Sequence, residues 1–300
     1  MTTARVGVAD PRFLLPSFPS TVTALEPAWA RALEVLGVEQ ADRPDLVVCG
    51  PSEVEAALAI DPPAVIVEGG SRAARRALER AGHRTSTWMA LGAATTEALI
   101  PLHAPRVARH AIARWRPPAS RLRRTVGLAA VTAGIELPGR RTVLVGSRDR
   151  RPPAVVRAAV DAAGLRATSE MFLGVPGVEV TSRLAAMIFD EGATEPAVVV
   201  KFLRRANAPA TAFDEDERGL ALAARFPVVA SRAPSLLARL DIAGHPASVE
   251  TAALGTPMGR SLASGSAGAR HAIDAVAAWL VEVGSATASG TAETAWRALA

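Results

Sequence analysis

The stretch Ala197-Val198-Val199-Val200-Lys201-Phe202 joins an apolar run to the only lysine of the chain. Consecutive small and β-branched apolar residues are typical of a strand buried in a sheet. Of the 34 Lys and Arg residues of the chain, all except Lys201 are arginine. An ammonium is a compact charge with rotatable donors, whereas a guanidinium is a planar fork. Lys201 is therefore a candidate for chemistry that arginine cannot perform, unless its stem simply lies along the sheet and carries the charge to water.

The composition predicts a folded protein. Of the 300 residues, 49% are hydrophobic and 21% are charged, which is typical of a packed chain of about two domains. The single cysteine, Cys49, excludes an internal disulfide and a cysteine-based metal cluster. No apolar run approaches the roughly 18 residues that span a bilayer, and the N-terminus lacks the plan of a signal peptide. We therefore expect a cytoplasmic protein without a membrane partner.

The basic charge does not by itself indicate nucleic acid binding. The formal net charge is +5 and the isoelectric point is near 10.8. The arginines are scattered, however, and the clusters at 121–124 and 148–151 contain no interleaved aromatic residues. Basic surfaces that bind nucleic acid are usually concentrated on one face. We interpret these clusters as solvated surfaces and expect no nucleic acid partner.

The N-terminal part alternates apolar runs with helical patterns. The runs lie at 22–25, 45–49, 64–67 and 85–89, and the helical patterns at 28–36, 52–59 and 71–81. Such alternation with short links predicts a parallel, Rossmann-like sheet covered by helices. A further helix is predicted at 101–115 and a basic helix at 119–133. We therefore predict an α/β domain at 1–116 and a helical linker at 117–140.

The part at 141–300 has a different pattern. It contains strand-like runs at 142–145, 170–173, 178–189 and 197–202, then at 227–230, 236–242 and 246–251. Helical patterns lie at 153–163, 213–225 and 268–283. Strands separated by tight Gly- or Pro-bearing turns predict an antiparallel sheet, here with one helix between its strands. This pattern indicates an α+β arrangement that is followed by a C-terminal helix.

Three segments together bear a specific resemblance. They are Val198-Val199-Val200-Lys201-Phe202, then Phe213-Asp214-Glu215-Asp216-Glu217-Arg218-Gly219-Leu220, and finally Ala247-Ser248-Val249-Glu250-Thr251-Ala252-Ala253-Leu254-Gly255. This order resembles the N-lobe of the aminoglycoside phosphotransferase and choline kinase family, which has a protein-kinase-like fold. More closely, it resembles actinobacterial phosphotransferase-like proteins that carry a Rossmann-like N-terminal domain. The resemblance covers roughly residues 170–283.

The resemblance implies a set of ATP-binding residues. Lys201 would bind the α- and β-phosphates, and a glutamate of the acidic helix would hold it, with Glu217 first and Glu215 next. Residues 250–253 would form the hinge that offers backbone groups to adenine, and residues 173–177 would occupy the place of the phosphate-covering loop. The residues implied to bind the cofactor are Lys201, Glu217, Gly174, Gly177, Glu250, Thr251, Ala252 and Ala253.

One of these features departs from the family pattern, and another has a simpler explanation. The segment Leu173-Gly174-Val175-Pro176-Gly177 departs from G-x-G-x-x-G and carries a proline at a position where the family is flexible. The four carboxylates at 214–217 stand at the start of a predicted helix, where the positive end of the helix dipole favours acidic side chains. The dipole alone could account for two of the four.

The resemblance implies an ATP-dependent phosphotransferase that uses Mg²⁺ and a small-molecule acceptor. In that family the catalytic Asp and the metal-binding Asn and Asp lie in the C-lobe. None of the five histidines of this chain begins an H-x-D. We therefore expect no catalytic and no metal-binding residues within these 300 residues, which would be truncated before the catalytic loop. The alternative is a non-catalytic binding or scaffold module that self-associates through an exposed apolar face.

The N-terminal part offers one more candidate, the turn Gly69-Gly70. It follows the run Val65-Ile66-Val67 and precedes a predicted helix, and backbone N–H groups at such a junction can bind an anion. It is not G-x-G-x-x-G, and no acidic residue about 20 positions further on completes a dinucleotide fingerprint. A plain turn is the alternative. A third hypothesis interprets the N-terminal sheet as a glycosyl- or methyltransferase-like domain. It is the least favoured of the three hypotheses, because the glycine fingerprint is missing.

Overall fold

The structure is a computed structural model that describes residues 11–25, 30, 39–91, 98–114, 129, 141–174, 183–203, 209–253 and 266–287. The strands are β1 (Val22–Ala24), β2 (Leu46–Cys49), β3 (Ala64–Glu68), β4 (Arg84–Leu91), β5 (Ala98–Pro101), β6 (Arg141–Ser147), β7 (Glu170–Gly174), β8 (Arg183–Phe189), β9 (Val198–Leu203), β10 (Leu236–Ile242) and β11 (His245–Thr251). The helices are α1 (Val54–Ala59), α2 (Arg72–Arg80), α3 (Pro105–Arg114), α4 (Ala154–Ala163), α5 (Asp214–Ala224), α6 (Pro227–Ala230) and α7 (Ser266–Thr287). The helices predicted at 28–36 and 119–133 lie outside the described residues, apart from the isolated positions 30 and 129.

The named strands form one eleven-stranded sheet in the order β1-β2-β3-β6-β4-β5-β7-β8-β9-β11-β10. The strands β1, β2 and β3 pair in parallel. From β3 to β9, each neighbouring pair is antiparallel. The prediction of a mixed α/β protein is confirmed, but the parallel pairing of β1, β2 and β3 does not extend to β4, because β4 is bordered by β5 and β6 and pairs antiparallel with both.

The strand β6 explains this difference. It comes from the predicted part 141–300 and lies between β3 and β4 of the predicted domain 1–116. Its residues Val143, Leu144 and Val145 are all buried, so it is apolar on both faces. A strand with two apolar faces is stable only in the interior of a sheet that is covered on both sides.

The chain divides into two compact units. One contains Met1–Pro209 with Leu237–Glu250, and the other contains Ala210–Leu236 with Thr251–Ala300. The boundaries predicted at 116 and 140 both lie within the first unit.

Two elements differ from the sequence prediction. Residues 98–101 form β5, although a helix was predicted to begin at Pro101; the helix α3 begins only at Pro105. Residues 227–230 were predicted as a strand but form the short helix α6. Pro227 stands in its first turn, a position that suits proline because the missing N–H has no partner within the helix.

The core of the first unit lies on both faces of the sheet. On one face, α4 and the 3-10 helix Pro11–Leu14 pack together, and α4 contacts β8 and β9. Here the rings of Phe13 and Phe202 lie 4.1 Å apart. On the other face, α3 packs on β5 and β7, in a cluster that contains Phe172.

The Gly69-Gly70 turn is packed against β6. The N–H of Gly69 donates to the carbonyl of Thr142 at 2.7 Å. A Cβ added to Gly70 would lie 2.6 Å from the Cβ of Leu144. The hydroxyl of Thr142 donates to the carbonyl of Gly70 at 3.3 Å. These contacts account for both glycines, one with its positive φ of 75° and one with its close approach, as parts of a structural turn.

His83, which precedes β4, predicts a pH dependence of stability. Its side chain is buried, its Nε2 lies 3.2 Å from the carbonyl of Pro62, and burial lowers the pKa of the imidazole below 6.5. Protonation then favours the unfolded state, so this contribution to stability is present above pH 6.5 and is lost as the pH falls through 6.5. Desolvation also lowers the pKa of His103, so protonation of His103 favours the unfolded state as well.

We expect the free energy of unfolding of the wild type to fall between pH 7 and pH 5 more steeply than that of His83→Gln, which keeps a donor for Pro62. Urea titrations of both proteins at several pH values measure the difference. Burial raises the pKa of Glu170, so this carboxyl changes the stability with pH in the opposite direction. Both proteins contain Glu170, so its contribution cancels when their free energies of unfolding are compared. Equal slopes for the two proteins would show that His83 is not buried in its neutral form.

Candidate functional site

Lys201 lies on β9 with its side chain on the face of the sheet opposite to α4, Phe13 and Phe202. Val198, Val200 and Phe202 are buried at 3%, 0% and 0% exposure and point to the side of α4. Successive side chains of a strand alternate between the faces, so Lys201 points to the other side. Its side chain is 33% exposed. The predicted strand at 197–202 is therefore confirmed, within one residue of its bounds.

The ammonium of Lys201 is paired with a buried carboxylate. Its Nζ lies 2.8 Å from Oε2 of Glu250, whose side chain is only 2% exposed. Glu250 is on β11, which borders β9 in the sheet. The hydroxyl of Ser248, two residues earlier on the same strand, donates to Oε1 of Glu250 at 3.1 Å. Both carboxylate oxygens thus have a partner within the sheet.

This arrangement has a physical rationale. A buried carboxylate is costly unless it is paired and hydrogen-bonded. Ser248 and Glu250 project to the same face of β11 because they are two residues apart. Glu250 holds the ammonium at a defined point on this face, while the lysine remains one-third exposed. The cluster Lys201–Glu250–Ser248 can therefore present a positioned positive charge to an anionic ligand.

Glu250 has a side-chain contact that the resemblance does not assign to it. Its side chain forms the ion pair with Lys201, while the contribution of its backbone to a hinge stays a prediction. The sequence signal was a glutamate within the apolar strand Ala247-Ser248-Val249, which requires a partner if the strand is buried.

The helix predicted to supply the partner of Lys201 is α5. Glu215 and Glu217 stand in its first turn together with Asp214 and Asp216. This position is favourable for carboxylates because of the helix dipole. The helix belongs to the second unit, whereas Lys201 and Glu250 belong to the first. The pairing of Lys201 with Glu217 stays a prediction.

The remaining predicted residues lie at three places. Gly174 ends β7, where it pairs with Ala185 of β8. Thr251 ends β11, and its N–H donates to the carbonyl of Ser235 at 2.9 Å while its hydroxyl accepts from the N–H of Ser235 at 2.8 Å. Ala252 and Ala253 follow β11 without regular secondary structure. Gly177 lies outside the described residues.

Two further observations concern metals and membranes. In the part of the chain that the structure describes, no group of three or more His, Cys, Asp and Glu side chains is arranged to hold a metal ion. Within the same residues, no helix combines the length and the apolar character needed to cross a bilayer. Within the described residues, Lys201 carries a charge that suits a phosphate, and no such group of side chains offers a site for Mg²⁺.

Comparison with known proteins adds no relative: no protein-family model matches the chain, and neither a curated protein nor a solved structure is significantly similar to it.

Proposed function

We propose that the part of the chain from residue 141 is the nucleotide-binding portion of an ATP-dependent phosphotransferase, in which Lys201 binds the phosphates of ATP. The observation that carries the proposal is the ion pair between the only lysine of the chain and the buried Glu250. A buried carboxylate that holds a lysine at the surface of a sheet positions its charge before a ligand arrives, which reduces the ordering cost of binding.

The connection of the strands supports the same proposal. The strands β7, β8 and β9 form an antiparallel meander, and α5 lies in the connection from β9 to β10. The strands β10 and β11 are joined by Ala243 and Gly244, which both have positive φ, as in a two-residue hairpin turn. The second strand of this hairpin returns to the side of β9. In the connection from β9 to β10, α5 precedes the short α6, where the kinase-like resemblance implies a single helix between the third and fourth strands of an antiparallel sheet.

The chemistry of Lys201 fits a phosphate. Lysine is a common phosphate ligand that acts as a point charge, and its ammonium has three donors. It can therefore contact Glu250 and a phosphate oxygen together. Phosphoryl transfer also requires a catalytic Asp and metal ligands, which match no motif among these 300 residues. We accordingly propose that this chain binds nucleotide and that turnover needs groups from outside it.

Isothermal titration with ATP·Mg²⁺ tests the proposal. We expect weak binding by the wild type and binding weaker by about 10- to 100-fold for Lys201→Met, since hydrogen bonds to charged groups contribute about 1.5–3 kcal/mol. Arg76→Met, which removes the same charge from the exposed side of α2, is the control and should bind like the wild type. Equal affinities of wild type and Lys201→Met would contradict the role of Lys201. No binding by the wild type, with a dimer in light scattering, would favour the scaffold alternative.

A further inference from the structure

A second candidate site is a cavity of about 420 Å³ in the first unit, distant along the sheet order from Lys201. Its volume lies within the range of pockets that bind small molecules. It lies where β4 begins and β6 ends, under the 3-10 helix Pro11–Leu14 and the first turn of α4. The predicted nucleotide site does not include any residue of its wall.

The cavity results from the shortness of β5. This strand has four residues, and it pairs with β7 through only two of them, Ala98 and Leu99. Among the described strands, the pairing of β5 with β7 ends at Leu99, so the sheet opens between β4 and β7 at this end. The residues Ser86 and Trp88 of β4 line the gap, as do Ser169 and Met171 at the start of β7.

The interior of the cavity is apolar and aromatic. The wall contains Leu14, Val145, Val156 and Met171, all of which are buried. The indole of Trp88 is also part of it and is held in place, because its Nε1 donates to the hydroxyl of Ser86 at 3.0 Å. Such a wall suits a flat or branched apolar group.

The imidazole of His103 lies against this indole, with the ring centroids 5.3 Å apart in an edge-to-face arrangement. Desolvation lowers the pKa of His103 from its usual value. Glu170 contributes to the wall, but strand alternation directs its carboxyl to the opposite face, where Phe172 packs with α3. The carboxylate of Glu170 therefore does not point into the cavity.

The charged groups stand at the mouth. Asp149 is held by Arg151, with Nε of Arg151 at 3.0 Å from Oδ1 and 2.9 Å from Oδ2, and this contact lowers the pKa of Asp149 to about 2. The guanidinium of Arg84 donates to the carbonyl of Arg150 at 3.1 Å. Within the described residues it has no carboxylate partner, so one positive charge at the mouth is not compensated.

From this arrangement we propose that the cavity binds a small organic acid, with its apolar or aromatic body against Trp88 and Met171 and its carboxylate on Arg84. The planar fork of arginine matches a carboxylate with two parallel hydrogen bonds. A dianionic phosphate suits the mouth less well, because the ionised Asp149 lies beside the same rim. The proposal is independent of the nucleotide site, since it rests on other residues.

Saturation-transfer NMR with trans-cinnamate as the probe tests this site. We expect the wild-type chain to bind cinnamate and Arg84→Gln to bind it about 10- to 100-fold more weakly, since a charge-assisted hydrogen bond is lost. Arg76→Gln removes an arginine from α2 and should leave the affinity unchanged. Cinnamamide, which has the same shape without the charge, should bind the wild type as weakly as cinnamate binds Arg84→Gln.

The outcomes separate clearly. Arg84→Lys keeps the positive charge and should retain part of the affinity for cinnamate. This variant serves as the test if thermal unfolding shows that Arg84→Gln is poorly folded. An absence of cinnamate binding, or equal binding by wild type and Arg84→Gln, would overturn the proposal. Tighter binding of phenyl phosphate than of cinnamate would overturn the assignment of a carboxylate.

Discussion

Replacement of Lys201 by methionine is expected to lower the free energy of unfolding by about 3 kcal/mol. The methionine keeps most of the apolar stem but leaves the carboxylate of Glu250 in a 2% exposed position without its ammonium. Removal of one partner from a buried pair costs about 3–5 kcal/mol. We place the effect at the lower end because the side chain of Lys201 is 33% exposed and the pair is partly solvated.

A double-mutant cycle isolates this pair from the other effects of each substitution. We expect Lys201→Met combined with Glu250→Gln to be more stable than Lys201→Met alone, because the uncompensated charge is then absent and the amide oxygen can still accept from Ser248. Urea unfolding of the four proteins at pH 7 measures the coupling. A coupling free energy near zero would mean that the contact between Nζ and Oε2 does not hold Lys201 in place.

Gly70→Ala is expected to destabilise the protein by about 2–3 kcal/mol. The new Cβ would lie 2.6 Å from the Cβ and 3.4 Å from the backbone N of Leu144. Leu144 is part of β6 and is only 1% exposed, so the contact can be relieved only by a shift of the sheet. Overpacking of a dense core costs about 1–3 kcal/mol.

The control for this substitution is Gly219→Ala on α5, where a Cβ would meet no atom within 4 Å. It should raise stability by up to about 1 kcal/mol, because alanine is the better helix former. Thermal unfolding compares the two variants. If Gly70→Ala were as stable as the wild type, β6 would not pack against the turn, and the turn could again be considered as an anion site.

Local patterns predicted the strands and helices well where burial follows from the immediate sequence. The run before Lys201 gave β9, and the acidic start at 214–217 gave α5. The errors fall where proline is ambiguous. Pro101 ends β5, although the sequence predicts a helix from this residue, and Pro227 begins a helix where the sequence predicts a strand. Proline is accepted at both an edge of a strand and the first turn of a helix.

The sheet order could not be predicted because it depends on contacts between distant residues. Nothing near Leu144 in the sequence indicates that β6 lies between β3 and β4, which end at Glu68 and Leu91, far before β6 begins at Arg141. The pairing of Lys201 with Glu250 depends in the same way on β11 returning to the side of β9. The sequence showed that each residue needs a partner, while the fold decides which one it meets.

The central claim, that Lys201 contacts the phosphates of a nucleotide, can be tested directly because the chain has one lysine. An acyl-phosphate derivative of ATP transfers its acyl group to an amine near the phosphates, and mass spectrometry identifies the modified residue. We predict acylation of Lys201 that is suppressed by excess ATP, while the N-terminal amine of the same molecule reacts equally with and without ATP. Acylation of Lys201 that ATP does not reduce, or no acylation of Lys201 at all, would contradict the account.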